Sequence, residues 1–364
     1  MTTSKDTSAL QFSGTKAVAP QHAFDVQKLD AYMRQHVAGF SGDLHVEQFK
    51  GGQSNPTFKL TAGGKSYVMR RKPPGVLLPS AHAVDREYKV ISALAKTDVP
   101  VAKAYALCED PSVIGTAFYI MDCVEGRILW DPLLPDYNNA QRGELYSELN
   151  RVMAALHSVD PNAIGLGDYG KPGNYIERQV ARWTKQYKAA ETETIEAADR
   201  LIEWLPKYIP QGDEVAIVHG DYRFDNVIFH PTEPRILAVL DWELSTLGHP
   251  LVDFAYHCMT WRMGGGQGGR GMAGADIQSL GIPSEAEYVK LYLERTGREN
   301  AVSPAEWNYY MVFNMFRLVG ILQGIAHRAV QGNASSEHAV ASGKRARPLA
   351  EQAWALAQEI DASR

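Results

Sequence analysis

AIVHGDYRFDNVIFHPTEPRILAVLDWE, residues 216–243, is the stretch from which the rest of the chain is read. Its first apolar run, 216–218, reads as a strand that stops at the trio His219-Gly220-Asp221. Two further apolar runs, 227–229 and 236–240, flank HPTEPR and read as a hairpin whose second strand ends on Asp241. Asp221, held in the loop before the hairpin, can accept a proton from a substrate hydroxyl. Asn226, five residues on, can reach a metal through its side-chain carbonyl, and Asp241 brings a carboxylate to the same ion. Alone, an Asp or Asn in a loop reads as a turn former. Together, at this spacing and flanked by strands, they read as chemistry. Mg²⁺ is a hard cation that keeps several waters and is held by few protein oxygens plus substrate phosphates. One amide, one carboxylate and ATP meet that requirement. Glu243, two residues after Asp241, is expected to bind or organise a second metal ion, and His219 to brace the loop by hydrogen bonding.

Working outward, the 364 residues are 45% hydrophobic, enough for a substantial core in one two-lobed unit or two domains. There are 37 Lys and Arg against 42 Asp and Glu, a net charge of −5, which argues against nucleic acid bound by bulk charge. Three cysteines, Cys108, Cys123 and Cys258, form no C-x-x-C pair, so no disulfide scaffold or zinc site is expected. The amino terminus lacks the apolar core of a signal peptide. The most hydrophobic helical stretch, 311–326, is interrupted by Asn314, Arg317 and Gln323, so no membrane span is expected. The expectation is a cytoplasmic protein; its oligomeric state is open.

Residues 1–25 are polar and small and read as a flexible leader. From Phe40 to Met69 the pattern is of strands, with a hairpin turn at Gly63-Gly64 between TFKLTA and KSYVMRR. A helix is expected over 81–95, with Val84, Tyr88, Ile91 and Ala95 on one face, followed by a strand pair around VAKAYALCE and TAFYIMDCV. This is a small mixed lobe, 26–123. The remainder, 124–364, reads as mainly helical and as the carrier of the catalytic loop and substrate pocket. The class is α+β. One low-complexity stretch, MGGGQGGRGMAG, covers 263–274.

The H-G-D-x-x-x-x-N spacing matches the protein-kinase catalytic loop H-R-D-x-x-x-x-N, with Gly for Arg. The sequence resembles the aminoglycoside phosphotransferase and choline kinase superfamily, which uses H-G-D and has a protein-kinase-like two-lobed fold. GGQSNPTF, RRKPPG, LPSAHAVDREY, HGDYRFDN and LDWELSTLGHPLVDFAY resemble the branch that includes the kinase-like domain fused to acyl-CoA dehydrogenases. The resemblance implies Asp221 as the catalytic base and Asn226 and Asp241 as metal ligands. It implies Asp253 as a carboxylate supporting the catalytic segment. Gly51, Gly52, Gln53, Ser54 and Asn55 fall where a glycine-rich loop covers nucleotide phosphates; Gly-Gly alone would read as a turn. The usual phosphate-gripping lysine is replaced by Arg70, with Lys72 as its rival, and the paired helix acid is Glu87. Met121, Asp122 and Val124 match the segment that holds adenine, Asp122 and Val124 through backbone groups.

The implied activity is ATP- and Mg²⁺-dependent transfer of a γ-phosphoryl group to the hydroxyl of a small molecule. Trp261, Arg262, Arg270, Arg317, His327 and Arg328 give the acceptor region, expected in 160–213 and 255–330, a basic tilt. That tilt favours a hydroxy acid or hydroxyacyl-CoA over a cationic aminoglycoside or choline. Those cationic acceptors, and a pseudokinase that binds nucleotide without catalysis, are the alternatives.

Overall fold

The computed structural model of the chain describes residues 14–50, 55–73, 82–266, 269–299, 302–330 and 342–363. Contacts divide it into two compact units, Met1–Trp130 with Asn162–Tyr169 and Phe224–Ser245, and Asp131–Pro161 with Gly170–Arg223 and Thr246–Arg364. The first carries the main sheet and the second most of the helix, the expected α+β division.

In the first unit, strands β1 (Thr15–Lys16), β2 (His45–Phe49), β3 (Thr57–Ala62), β4 (Lys65–Arg71), β5 (Ala104–Cys108) and β6 (Phe118–Asp122) form one antiparallel sheet in the order β1-β2-β3-β4-β6-β5. The β3–β4 turn is the expected Gly63-Gly64 pair. Ala62 and Lys65 face each other across it, and both glycines hold positive φ (55° and 75°), as a tight hairpin turn demands. Of the leader expected over 1–25, residues 1–13 lie outside the described residues, while Thr15 and Lys16 pair with Phe49 and Gln48.

Strand alternation then sorts the side chains. Tyr67 and Met69 of β4 and Phe118 and Ile120 of β6 join Leu29 and Met33 of helix α1 (Val26–His36) in one core. The intervening Arg70 and Tyr119 therefore face the other side of the sheet. Helix α2 (Val84–Leu94) packs against β5 and β6, burying Val84, Glu87, Val90, Ile91 and Leu94. The hairpin of 227–240 also belongs to this unit.

In the second unit, a two-stranded ladder pairs β7 (Ala216–Val218) with β8 (Thr246–Gly248). The helices are α3 (Asn139–His157), α4 (Tyr175–Ala189), α5 (Glu196–Trp204), α6 (Pro250–Arg262), α7 (Glu285–Thr296), α8 (Pro304–Val330) and α9 (Ala346–Ala362). Capping boxes start α3 at Asn138 and α7 at Ser284, and left-handed Gly297 ends α7. Helix α8 is the centre, packing against α4, α6 and α9. No described helix is long and apolar enough to cross a membrane.

Burial in this core lowers His249 and His257 to about 4. His257 is shared between the Tyr222 carbonyl (3.2 Å) and the Tyr288 hydroxyl (3.0 Å). The unfolded chain binds these protons below about pH 6.5, the folded chain only near 4. Stability is therefore full above the unfolded value and falls as pH drops towards 4, each histidine contributing at most on the order of 3 kcal/mol. Thermal melts should show a constant Tm from pH 7.5 to 6.5 and a steady fall from there to 4.5. An unchanged Tm at pH 5 would contradict this.

Candidate active site

In the first unit the hairpin sets the cluster. Its register pairs Val227 with Val239, and one step outward the Leu240 N–H donates to the Asn226 carbonyl at 2.8 Å. Asn226 is thereby held beside the residue that precedes Asp241. Residues fourteen apart in sequence become one rung of a ladder. Asp241 adopts φ 62°, a left-handed conformation that Asp tolerates better than most side chains.

Arg70 meets this pair from the sheet. Its Nη2 donates to Asp241 Oδ1 at 2.7 Å and lies 3.4 Å from Glu243 Oε2. Its Nε makes an ion pair with Glu87 Oε2 at 2.9 Å. Glu87 is 1% exposed, and Asn55 Nδ2 (2.8 Å) and the Tyr119 hydroxyl (3.0 Å) donate to its two oxygens. Burial pushes the Glu87 carboxyl up, while Arg70 and Tyr119 pull it down. Burial also weakens the Arg70 proton affinity, but Glu87, Tyr119, Asp241 and Glu243 more than reverse this, so the guanidinium stays charged.

These contacts separate the two rival cations. Lys72 lies 3.5 Å from Asp85 in a pair that is about one-third exposed on the lysine side, a solvated surface contact. Asn55 closes the segment expected to approach phosphate through its backbone N–H groups. Its side chain is fully buried between Glu87 and His82 Nδ1 (3.0 Å), so it braces the helix acid. Gly51, Gly52, Gln53 and Ser54 lie outside the described residues. In the segment expected to hold adenine, Met121 is buried, and the Asp122 N–H is committed to the Lys103 carbonyl at 2.9 Å. What the Asp122 backbone offers a ligand is its carbonyl; its carboxylate accepts from the Tyr105 hydroxyl. Val124, next along the segment, is half-buried.

In the second unit a separate cluster is built around Asp221. Gly220 takes φ 86°, so the position before Asp221 favours glycine. Asp253, near the start of α6 and 4% exposed, accepts from the His219 N–H (2.7 Å), the Gly220 N–H (2.9 Å) and His157 Nε2 (3.2 Å). Burial pushes the Asp253 carboxyl up, but these partners win and hold it below the usual range. His219 Nδ1 accepts from the Asp221 N–H at 3.2 Å, the bracing expected of it. The Tyr256 hydroxyl donates to Asp221 Oδ1 at 3.0 Å, and Arg223 lies 3.4 Å from Oδ2. Burial and the Asp221 charge raise Tyr256 to about 12, so it stays a donor at neutral pH.

Tyr256 and Tyr119 were not singled out by sequence reasoning. Tyr256 stands one helical turn after Asp253, a spacing that puts both on one face of α6; that was the available signal. Arg262, expected to add to an acceptor-side basic tilt, is neutralised by Glu285 (2.6 and 2.7 Å) and bonded to Asn308 (2.9 Å). The Arg270 side chain lies outside the described residues.

No cluster of three or more His, Cys, Asp or Glu able to hold a metal occurs among the described residues. The donor set at the hairpin is instead an amide and a carboxylate, hard oxygens suited to Mg²⁺ that shares its remaining positions with water and phosphate.

Comparison with known proteins bears on this geometry. The family described as the phosphotransferase enzyme family matches residues 45–288, well over half of the sequence. The chain belongs to that family. Acyl-CoA dehydrogenase family member 10 of Mus musculus is 44% identical over 346 residues; the match covers 94% of this chain but 32% of the relative, so the chain spans about a third of that protein. A solved structure from Ralstonia eutropha JMP134, described as a candidate aminoglycoside phosphotransferase, is 61% identical. It superimposes with a TM-score of 0.86, covering 93% of this chain and 99% of that one. Aminoglycoside phosphotransferase APH(4)-Ia, solved as a mutant with AMP-PNP and hygromycin B, shares the fold at TM-score 0.58 and 16% identity, covering 90% of this chain and 98% of its own. The resemblance to the branch fused to acyl-CoA dehydrogenases is thereby shown, as is the small-sheet, large-helical architecture of the family.

Proposed function

We propose that the chain transfers the γ-phosphoryl group of ATP, with Mg²⁺, to a hydroxyl of a small molecule. Membership of the phosphotransferase family supports phosphoryl transfer in general. The observation that carries the finer reading is the hairpin register that seats Asn226 beside Leu240–Asp241, with the Arg70 guanidinium on Asp241. A magnesium ion held there would neutralise charge developing on the transferred group. Arg70 supplies a fixed cation for phosphate oxygens, and its planar fork suits them as well as a lysine point charge does. Asp221 orients the acceptor hydroxyl and takes its proton, with Tyr256 fixing one oxygen so that the carboxylate is presented in one orientation. The Asp122 carbonyl and the Val124 backbone hold adenine.

For the acceptor we favour a hydroxy acid or its CoA thioester, because a curated relative 44% identical to the chain is an acyl-CoA dehydrogenase family member. A cationic aminoglycoside is the competitor, from the description of the Ralstonia protein. A non-catalytic nucleotide-binding role has one observation in its favour: Arg70 sits directly on the metal-ligand carboxylate Asp241. Phosphorus NMR of ATP–Mg²⁺ incubations with hydroxy acids, hydroxyacyl-CoAs, choline and aminoglycosides separates these readings. A new phosphate monoester resonance is expected with a hydroxy acid or hydroxyacyl-CoA. Transfer to an amino sugar alone would overturn the acceptor class, and no transfer to any acceptor would favour the non-catalytic role.

A further inference from the structure

The peptide that carries Asp221 is held at both of its polar atoms. Its N–H, on Asp221, donates to His219 Nδ1 at 3.2 Å, and its carbonyl, on Gly220, accepts from Arg317 Nη2 at 2.8 Å. The peptide before it is pinned as well, since the Gly220 N–H donates to Asp253 Oδ1 at 2.9 Å. With both peptide planes beside Gly220 fixed, its left-handed turn is held and the Asp221 Cα is placed. Arg317 also reaches the Asp221 carboxylate by a second route. Its guanidinium carbon stands 4.6 Å from the Tyr256 ring centroid, and the Tyr256 hydroxyl is the donor to Asp221 Oδ1 at 3.0 Å. A cation on the face of a phenol draws on its π electrons and makes the hydroxyl a better donor. Burial and the Asp221 charge raise Tyr256 to about 12, and Arg317 acts in the opposite direction. All these residues belong to the second unit.

Packing alone does not account for an arginine at this position. Arg317 lies in the middle of α8, in a run of buried residues that includes Phe313, Phe316 and Val319, and is only 9% exposed. A guanidinium so buried ordinarily has a carboxylate partner, and among the described residues this one has none. Its Nε is a buried donor without a hydrogen-bond partner there. A methionine or leucine would fill the same space without desolvating a charge. Helix α8 is instead shaped to keep the cation. Trp183 of α4 stands beside it, 5.5 Å from guanidinium carbon to ring centroid. Gly320, one turn further along α8, makes room for that ring, since a Cβ there would come within 3.3 Å of it. One turn earlier, the Asn314 amide donates to the Val252 carbonyl at 2.8 Å, tying α8 to the residue before Asp253. Asn314, Arg317 and Gly320 thus form one stripe of α8 that meets the start of α6, the Asp221 loop and the indole.

We propose that Arg317 is a positioning residue for Asp221, fixing both the peptide that carries it and the tyrosine that aims its carboxylate. Its bearing on catalysis rests on the reading of Asp221 as the base; the positioning itself can be measured without an acceptor. One planar group bonded to the backbone on one side and set against the phenol on the other holds the two in a single relative geometry. A lysine in its place would keep the charge and lose the fork.

The test is a double-mutant cycle read by NMR on the full chain carrying ¹³Cζ-labelled tyrosine, with the Tyr256 signal assigned by its loss in Tyr256→Phe. Asp221→Asn removes the charge that the Tyr256 hydroxyl faces and should shift that signal. In the Arg317→Gln background the same replacement should shift it by about one-third as much or less, because hydroxyl and carboxylate no longer meet in one geometry. Arg317→Lys should fall between the two, and decides alone if Arg317→Gln does not fold. Equal shifts with and without the arginine overturn the inference, whatever happens to the Tm: a merely structural arginine lowers the Tm and leaves the coupling intact. Absence of any shift on Asp221→Asn in the otherwise wild-type chain overturns it too. With the acceptor found by phosphorus NMR, Arg317→Gln should lower kcat by about 10- to 100-fold while the KM for Mg–ATP stays within about twofold. Lost coupling with kcat unchanged overturns the catalytic part. Lost coupling in a chain that transfers phosphate to no acceptor leaves the positioning standing and removes the kinase reading.

Discussion

Asp221→Asn lowers turnover by about 10²- to 10⁴-fold and leaves the affinity for Mg–AMP-PNP within twofold. The substitution is nearly isosteric. The Tyr256 hydroxyl, which donates to Asp221 Oδ1 at 3.0 Å, keeps an acceptor in the amide oxygen. The backbone of the loop is held independently by Asp253 and His219, so the side chain keeps its place. What disappears is the negative charge proposed to take the hydroxyl proton. Arg70, Asn226 and Asp241, proposed for the nucleotide side, are untouched. Steady-state assays with the acceptor found by phosphorus NMR, alongside nucleotide titration, measure both quantities. Equal turnover in the two proteins would remove Asp221 from the chemistry, and a parallel loss of nucleotide affinity would mean it acts in binding instead.

Asp253→Ala acts on stability, by about 3–5 kcal/mol. Three donors converge on this one carboxylate from within a single unit: two consecutive backbone N–H groups and His157. At 4% exposure no water is at hand to replace it, so truncation strands all of them. Asp253→Asn keeps one acceptor oxygen and should cost less. Urea unfolding of the three proteins gives the ordering wild type, Asn, Ala. An alanine variant within about 1 kcal/mol of wild type would show that the loop does not depend on this anchor.

Much of this arrangement was legible in the sequence, and the reason is periodicity. The alternation of β4 places Met69 in the core and Arg70 opposite, and the helical spacing of Val84, Glu87 and Ile91 turns Glu87 inward, so the pair at 2.9 Å follows from two local patterns. The hairpin of 227–240 was equally readable, because its two apolar runs and turn fix which residues face each other. What escaped were roles set by tertiary meeting. Nothing local to Asn55 says that its amide is sealed between Glu87 and His82. Arg262 and Arg317 both looked like cations of an acceptor pocket, yet Glu285 neutralises the first while the second keeps no carboxylate among the described residues. Charge counts along a chain cannot tell those cases apart; only the neighbours can.

The fork of Arg70 has one more consequence. A single planar group ties the buried acid of α2 to the carboxylate at the hairpin's end, so the two cannot settle independently. Whatever draws the guanidinium off Asp241 slackens its hold on Glu87, leaving Asn55 and Tyr119 to keep that acid in place. Because Asn55 stands two residues before β3, a changed charge at Asp241 is only two side chains, Arg70 and Glu87, away from the start of that strand.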